Sequence, residues 1–180
     1  MLFLQENFDM KRLLILFLSL VCFANVYSQH LYFLGIQLGQ LETKIDELII
    51  RRGFIYIGRA YEPANMYSGQ FWIYKDVNLL ARTYQGKVTE IIVTPNSSMY
   101  NQMADFNKLT SNLTKKYGKY YTTRKNGWEL SRVWVAKGGC VEANFMGISS
   151  KSISIRYIDK SSINYVDPRN TYKRNRNNDL

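Results

Sequence analysis

Nucleophilic catalysis by a Ser–His or Cys–His pair needs a histidine held by surrounding structure. The single histidine, His30, falls beside an expected processed N-terminus, where fraying is the rule. A His/Cys metal cluster fails for the same reason, because Cys140 is the one cysteine left once a leader is removed. No EF-hand spacing gathers oxygen ligands. Neither GxGxxG with a following acid nor GxxxxGK[ST] occurs, so the backbone phosphate cradles those loops make are missing. Paired carboxylates are harder to dismiss, since glycoside hydrolysis takes its two acids from anywhere in a chain. Glu62, Glu90, Glu129 and Glu142 are candidates. However, Glu90 and Glu142 occupy alternating strand positions that read as a solvated face. The expectation is no catalytic residue, no cofactor and no metal.

Aromatic rings interleaved with cations offer binding chemistry instead. Residues 115–125 read KKYGKYYTTRK, which sets Tyr117, Tyr120 and Tyr121 among Lys115, Lys116, Lys119, Arg124 and Lys125, with Trp128 just beyond. Stacking platforms beside cations suit sugars, anionic polymers or single-stranded nucleic acid. Trp72, Tyr74 and Tyr84 would add ring faces if their side of a sheet is open. The plainer reading stands beside this one: Tyr117 completes a helix stripe, the lysines suit a helix end, and tyrosine is an ordinary strand residue.

These side chains must be carried by a small number of elements. Met99, Met103, Phe106, Leu109, Leu113 and Tyr117 recur at helical spacing. Asn96, Ser97 and Ser98 are placed to cap that helix, and Gly118 to close it. An earlier helix is written in Leu41, Ile45, Leu48 and Ile49, stopped by Gly53. Strand signals follow each helix: 54–57, 70–75, 79–84 and 87–94, then 119–124, 128–137, 140–146 and 152–159. Pro63, Asn65 and Gly69 read as a loop, Asp76, Val77 and Asn78 as a break, and Gln85–Gly86, Asn126–Gly127 and Gly138–Gly139 as tight turns. The order is helix then four strands over 41–94, and again over 97–158. This predicts an α+β fold, an antiparallel sheet of two such halves with both helices packed on one face.

Residues 1–28 read as a signal peptide, with translation starting at Met10, Lys11 and Arg12 as the positive region and an apolar run over 13–23. That run is too short to span a bilayer, and no later stretch offers a membrane span. Val21 before Cys22 departs from the small-residue pattern of lipid attachment, so anchoring through Cys22 is the minor alternative. Residues 29–166 make one domain, and 167–180 (DPRNTYKRNRNNDL) a disordered basic tail. Removing the leader takes away two cations and two acids, so the net charge stays at +10. That favours an anionic envelope polymer or lipid, or an acidic protein, and disfavours nucleic acid for an exported chain.

Phe33-Leu34-Gly35-Ile36, followed by a helix and Gly53-Phe54, resembles uncharacterised small secreted proteins of Bacteroidetes-type Gram-negative bacteria. The helix-plus-four-strand order is similar to that of the β-lactamase inhibitor protein and the small outer-membrane assembly lipoproteins. The inhibitor repeats differ in carrying two helices and disulfides. The resemblance implies a binding fold in the envelope and carries over no functional residue; the leader implies export to the periplasm or secretion. The expectation is an exported, non-catalytic binding protein that engages a protein or anionic envelope component through an aromatic and basic sheet surface. The alternatives are an outer-membrane assembly or structural factor and a carboxylate-based hydrolase.

Overall fold

The computed structural model describes residues 31–60, 63–96, 102–125, 129–147 and 152–168, with the side chains of Gln102 and of residues 122–125 outside that description. It is an α+β chain. The elements are β1 (Tyr32–Phe33), β2 (Ile36–Gln37), α1 (Glu42–Arg51), β3 (Ile55–Arg59), β4 (Ala64–Phe71), β5 (Tyr74–Tyr84) and β6 (Lys87–Pro95). After them come α2 (Gln102–Tyr117), β7 (Tyr121–Lys125), β8 (Glu129–Ala136), β9 (Gly139–Met146) and β10 (Ser152–Asp159). β1 and β2 form a separate hairpin; the other eight strands form one antiparallel sheet in the order β3-β4-β5-β6-β10-β9-β8-β7. The chain steps across from β3 to β6, passes through α2, and returns from the far edge so that β10 lies against β6.

α1 buries Ile45 and Ile49, while Leu41, expected on the same stripe, is the exposed N-cap residue. The Glu42 amide donates to the Gly86 carbonyl (3.1 Å), so the β5–β6 turn satisfies a free donor of the first helical turn. Asp46 accepts from the Tyr67 hydroxyl and from Asn65 Nδ2 (2.9 Å), which ties α1 to β4. α2 buries Phe106, Leu109, Leu113 and Tyr117 but leaves Met103 exposed. Trp134 donates to Thr114 (3.2 Å) and Arg132 to Thr110 (2.5 Å), which ties α2 to β8. Gly118, at φ +80°, closes α2 with its amide on the Thr114 carbonyl (2.8 Å). The Asn96 side chain accepts from Asn78 (2.9 Å) and donates to Asp76 (3.2 Å), both on β5. Ser97, Ser98, Met99 and residues 126–128 lie outside the described residues.

The first strand group is shifted from its sequence reading. Of the loop expected around Pro63, Asn65 and Gly69, the last two lie in β4 and Pro63 just before it, and the chain reverses at Trp72–Ile73, within an expected strand. The break expected at Asp76-Val77-Asn78 is continuous β5. Asp76 and Asn78 flank the buried Val77, so a half-buried strand alternation looked like turn chemistry. Asn65 is buried because it serves α1, donating to Glu42 (3.0 Å) as well as Asp46. Gly69 is required by packing, since a Cβ there would stand 2.6 Å from the Phe54 ring. In the second group the four strands fall near their expected places. The Gly138–Gly139 turn sits one residue earlier, with Gly139 in β9, where a Cβ would strike the Ile158 carbonyl of β10.

Candidate functional site

In antiparallel pairs, residues directly opposite share a face and neighbours along a strand alternate. Met66, Leu80, Ile92, Arg156, Glu142 and Val133 are consecutive partners across β4, β5, β6, β10, β9 and β8. They alternate with Tyr67, Leu79, Ile91, Ile155, Ala143 and Trp134, the buried residues of the opposite side. Two residues along, Ser68 pairs with Asn78 and Asn78 with Thr94; Ser154 pairs with Asn144 and Asn144 with Ser131. Carrying the β6–β10 register one residue on sets Thr94 level with Ser154. One face thus carries a row of hydroxyls and amides, free of charge, beside a row that is apolar at one end and ionic at the other. With strands about 4.8 Å apart, the polar row runs about 24 Å.

The ionic part is tightly held. Arg156 reaches Glu90 Oε1 with Nη2 at 2.7 Å and Nε at 2.8 Å, and Glu142 Oε2 with Nη1 at 3.0 Å. Arg82 lies 3.4 Å from Glu90 Oε2, and Asn164 Nδ2 donates to the same oxygen at 3.0 Å. Ser131 Oγ donates to Glu142 Oε1 (2.8 Å). Burial alone would push the Arg156 guanidinium down, but Glu90 and then Glu142 hold it above its ordinary value. Glu90 is fully buried, contrary to the solvated face read for it, because the chain after β10 folds back and lays Asn164 against it. Glu142 is half-buried in the same network. Beside them a groove of about 260 Å³ is lined by Glu129, Ser131, Glu142, Asn144, Ser154 and Arg156 among others. Cys140 is buried on this face, and burial, then Glu142, pushes its thiol up to about 12. It is a small core residue rather than a reactive thiol.

The residues singled out from sequence do not converge. Tyr74 is buried, its hydroxyl pushed up to about 12 by burial and then by Asp105, so it offers no exposed ring face. Trp72, in the turn before β5, and Tyr84, at its far end, are exposed but separated by the length of that strand, about 33 Å at strand rise. Tyr120 packs on Trp134 (5.5 Å between ring centroids) beneath the Arg132 guanidinium (5.0 Å), so its faces are taken. Tyr121 is half-buried in β7. Lys115, Lys116 and Lys119 are exposed around the end of α2, with the Lys116 ammonium 5.0 Å from the Tyr117 ring centre. Arg124 stands opposite Leu130 in β7, its side chain outside the description, as are Glu62 and Trp128 altogether. β7 is the far edge of the sheet, five strand spacings from β5, about 24 Å. Sequence reasoning missed Arg82, Arg156 and Asn164. The one available signal was Glu90 inside the apolar run of KVTEIIVT, a charge that needs partners if that strand is central.

No helix among the described residues is long and apolar enough to cross a membrane. No family model, no curated protein and no solved structure matches this chain.

Proposed function

We propose that the chain is an exported, non-catalytic binding protein. Its sheet consists of two helix-plus-four-strand halves with both helices on one face, and the other face engages an extended envelope polysaccharide. The contacts of α1 with Asn65 and Tyr67 and of α2 with Arg132 and Trp134 support the one-sided arrangement. The observation that carries the ligand class is the polar row, in which Ser68, Thr94, Ser154 and Asn144 are partly exposed, Asn78 keeps its carbonyl oxygen while its amide donates to Asn96, and Ser131 is buried against Glu142. A sugar chain presents hydroxyl edges and C–H faces. The row supplies hydroxyl and amide partners, and Met66, Leu80 and Ile92 an adjoining apolar strip. This replaces the aromatic and basic surface expected from sequence, whose described members lie apart, around the end of α2 and at the two ends of β5.

Affinity electrophoresis in gels containing neutral and acidic polysaccharides is the test. Retardation by a polysaccharide should persist in high salt and weaken about three- to tenfold in Asn144→Ala, the loss of one or two hydrogen bonds. Migration unchanged in every polysaccharide, or retardation abolished by salt, contradicts the reading.

One observation favours a second reading, a carboxylate-based hydrolase: Glu129 and Glu142 line one groove. Against it, both oxygens of Glu142 are engaged, by Ser131 and Arg156. Reducing sugar released by the wild type and lost in Glu129→Gln would support this reading over simple binding.

A further inference from the structure

Two hairpin tips break the same backbone rule. Leu34, in the β1–β2 loop, has φ +48°, and Trp72, in the β4–β5 loop, has φ +57°. Left-handed positions are sterically costly for side chains of this bulk, and turns of this length favour Gly, Asn or Asp there. Both nonetheless carry large apolar residues, with Leu34 38%, Trp72 41% and Ile73 43% exposed.

The tips are neighbours in space. Phe33, next to Leu34, stacks on Phe71, next to Trp72, with ring centres 5.6 Å apart and planes at 17°. Phe54 joins them, 6.2 Å from Phe33, and is followed by Ile55, 70% exposed on the edge strand. A packed phenylalanine cluster therefore supports a ring of protruding apolar side chains at one end of the molecule. Cations flank it. The Arg52 guanidinium lies against Gly35 of the first tip, 3.0 Å from where a Cβ would stand, and exposed Lys75 follows the second. Two acids lie near: Asp76, which accepts from Asn96, and Asp105, which acts on the Tyr74 hydroxyl.

We propose that this end of the molecule seats in the headgroup–acyl boundary of an anionic lipid bilayer, with Trp72, Ile73 and Leu34 inserted and Arg52 and Lys75 among the headgroups. Separate convex tips match a deformable medium better than the flat or pocketed surface of a folded partner. Tryptophan favours that boundary, and basic residues beside it add attraction to anionic lipid. The net charge of +10 acts in the same direction. The inference is independent of the polysaccharide reading, since it uses a different part of the surface.

The test is co-sedimentation of the processed chain, residues 29–180 and so without the apolar run over 13–23, with vesicles of phosphatidylcholine, alone or mixed with phosphatidylglycerol. Trp72→Gly is the informative variant, because glycine suits a left-handed backbone and the fold should persist. Wild type should sediment with the anionic vesicles and poorly with the neutral ones. Trp72→Gly should lower the partition coefficient about tenfold or more, from the lost apolar burial. Arg52→Gln with Lys75→Gln should weaken binding and flatten its salt dependence. Asn144→Ala should sediment like wild type, which separates this outcome from failure of the polysaccharide site. Wild type left in the supernatant at low salt would overturn the proposal. So would Trp72→Gly binding as well as wild type, which would mean surface charge alone.

Discussion

The centre of the sheet and the end bearing Trp72 both violate a local rule, and the structure treats the two violations differently. At the centre, Glu90 is a carboxylate buried in a middle strand, where charge is costly. Arg156, Arg82 and Asn164 all turn to it, so its charge is answered within the chain. At the end, Trp72 holds a left-handed backbone with an exposed indole. Its ring meets Tyr74 edge-on at 6.1 Å, and 41% of the residue stays exposed. A broken rule that the chain answers internally is a structural device. One left open at the surface points outward, to a partner.

The largest expected effect lies at the centre. Glu90→Ala removes the buried carboxylate that Arg156 and Arg82 share, leaving Arg156 on Glu142, and should lower unfolding stability by about 3 kcal/mol in urea denaturation. The contrast sharpens with Glu142→Gln, at the half-exposed margin of the network, where a loss of about 1 kcal/mol is expected.

The same buried face should appear in alkaline unfolding. The Cys140 thiol is raised from its ordinary value of 9.0 to about 12. The unfolded chain therefore releases this proton first, and the contribution, whole below pH 9, is lost as pH rises towards 12. The slope is about 1.4 kcal/mol per pH unit for one proton. A denaturation series across that window should be shallower by this amount in Cys140→Ala.

At the other end, Trp72→Gly should leave stability unchanged or raise it by up to about 1 kcal/mol, by relieving the left-handed backbone. The smallest effect is expected at Gln85, φ +52°, which with Gly86 at +73° forms the ordinary turn at the far end of β5. Gln85→Asn should add about 0.5 kcal/mol, read as a small shift of the urea midpoint.

The two turns of β5 also mark what was legible in sequence. Gly86 is the preferred second residue of a two-residue hairpin, and the Gln85–Gly86 turn stands where the sequence places it although Gln85 also holds a positive φ. Trp72–Ile73 inverts those preferences, so QFWIYK reads as strand and its reversal goes unseen. The helices were legible from periodicity and from their closing glycines Gly53 and Gly118. Sheet order was not, because pairing β10 with β6 joins residues such as Arg156 and Ile92 that share no local signal. The candidate site was illegible for the same reason: each member of the polar row is an unremarked Ser, Thr or Asn until the register aligns them. The aromatic and basic run at 115–125 was conspicuous locally, yet Tyr117 and Tyr120 pack into or against the core.

The most direct measurement is the urea midpoint of Trp72→Gly set beside that of Glu90→Ala. If the tip is shaped for a partner, Trp72→Gly will match or exceed the wild-type midpoint while Glu90→Ala falls far below it. A loss in Trp72→Gly comparable to that of Glu90→Ala would make the indole a structural member of the fold and contradict the account.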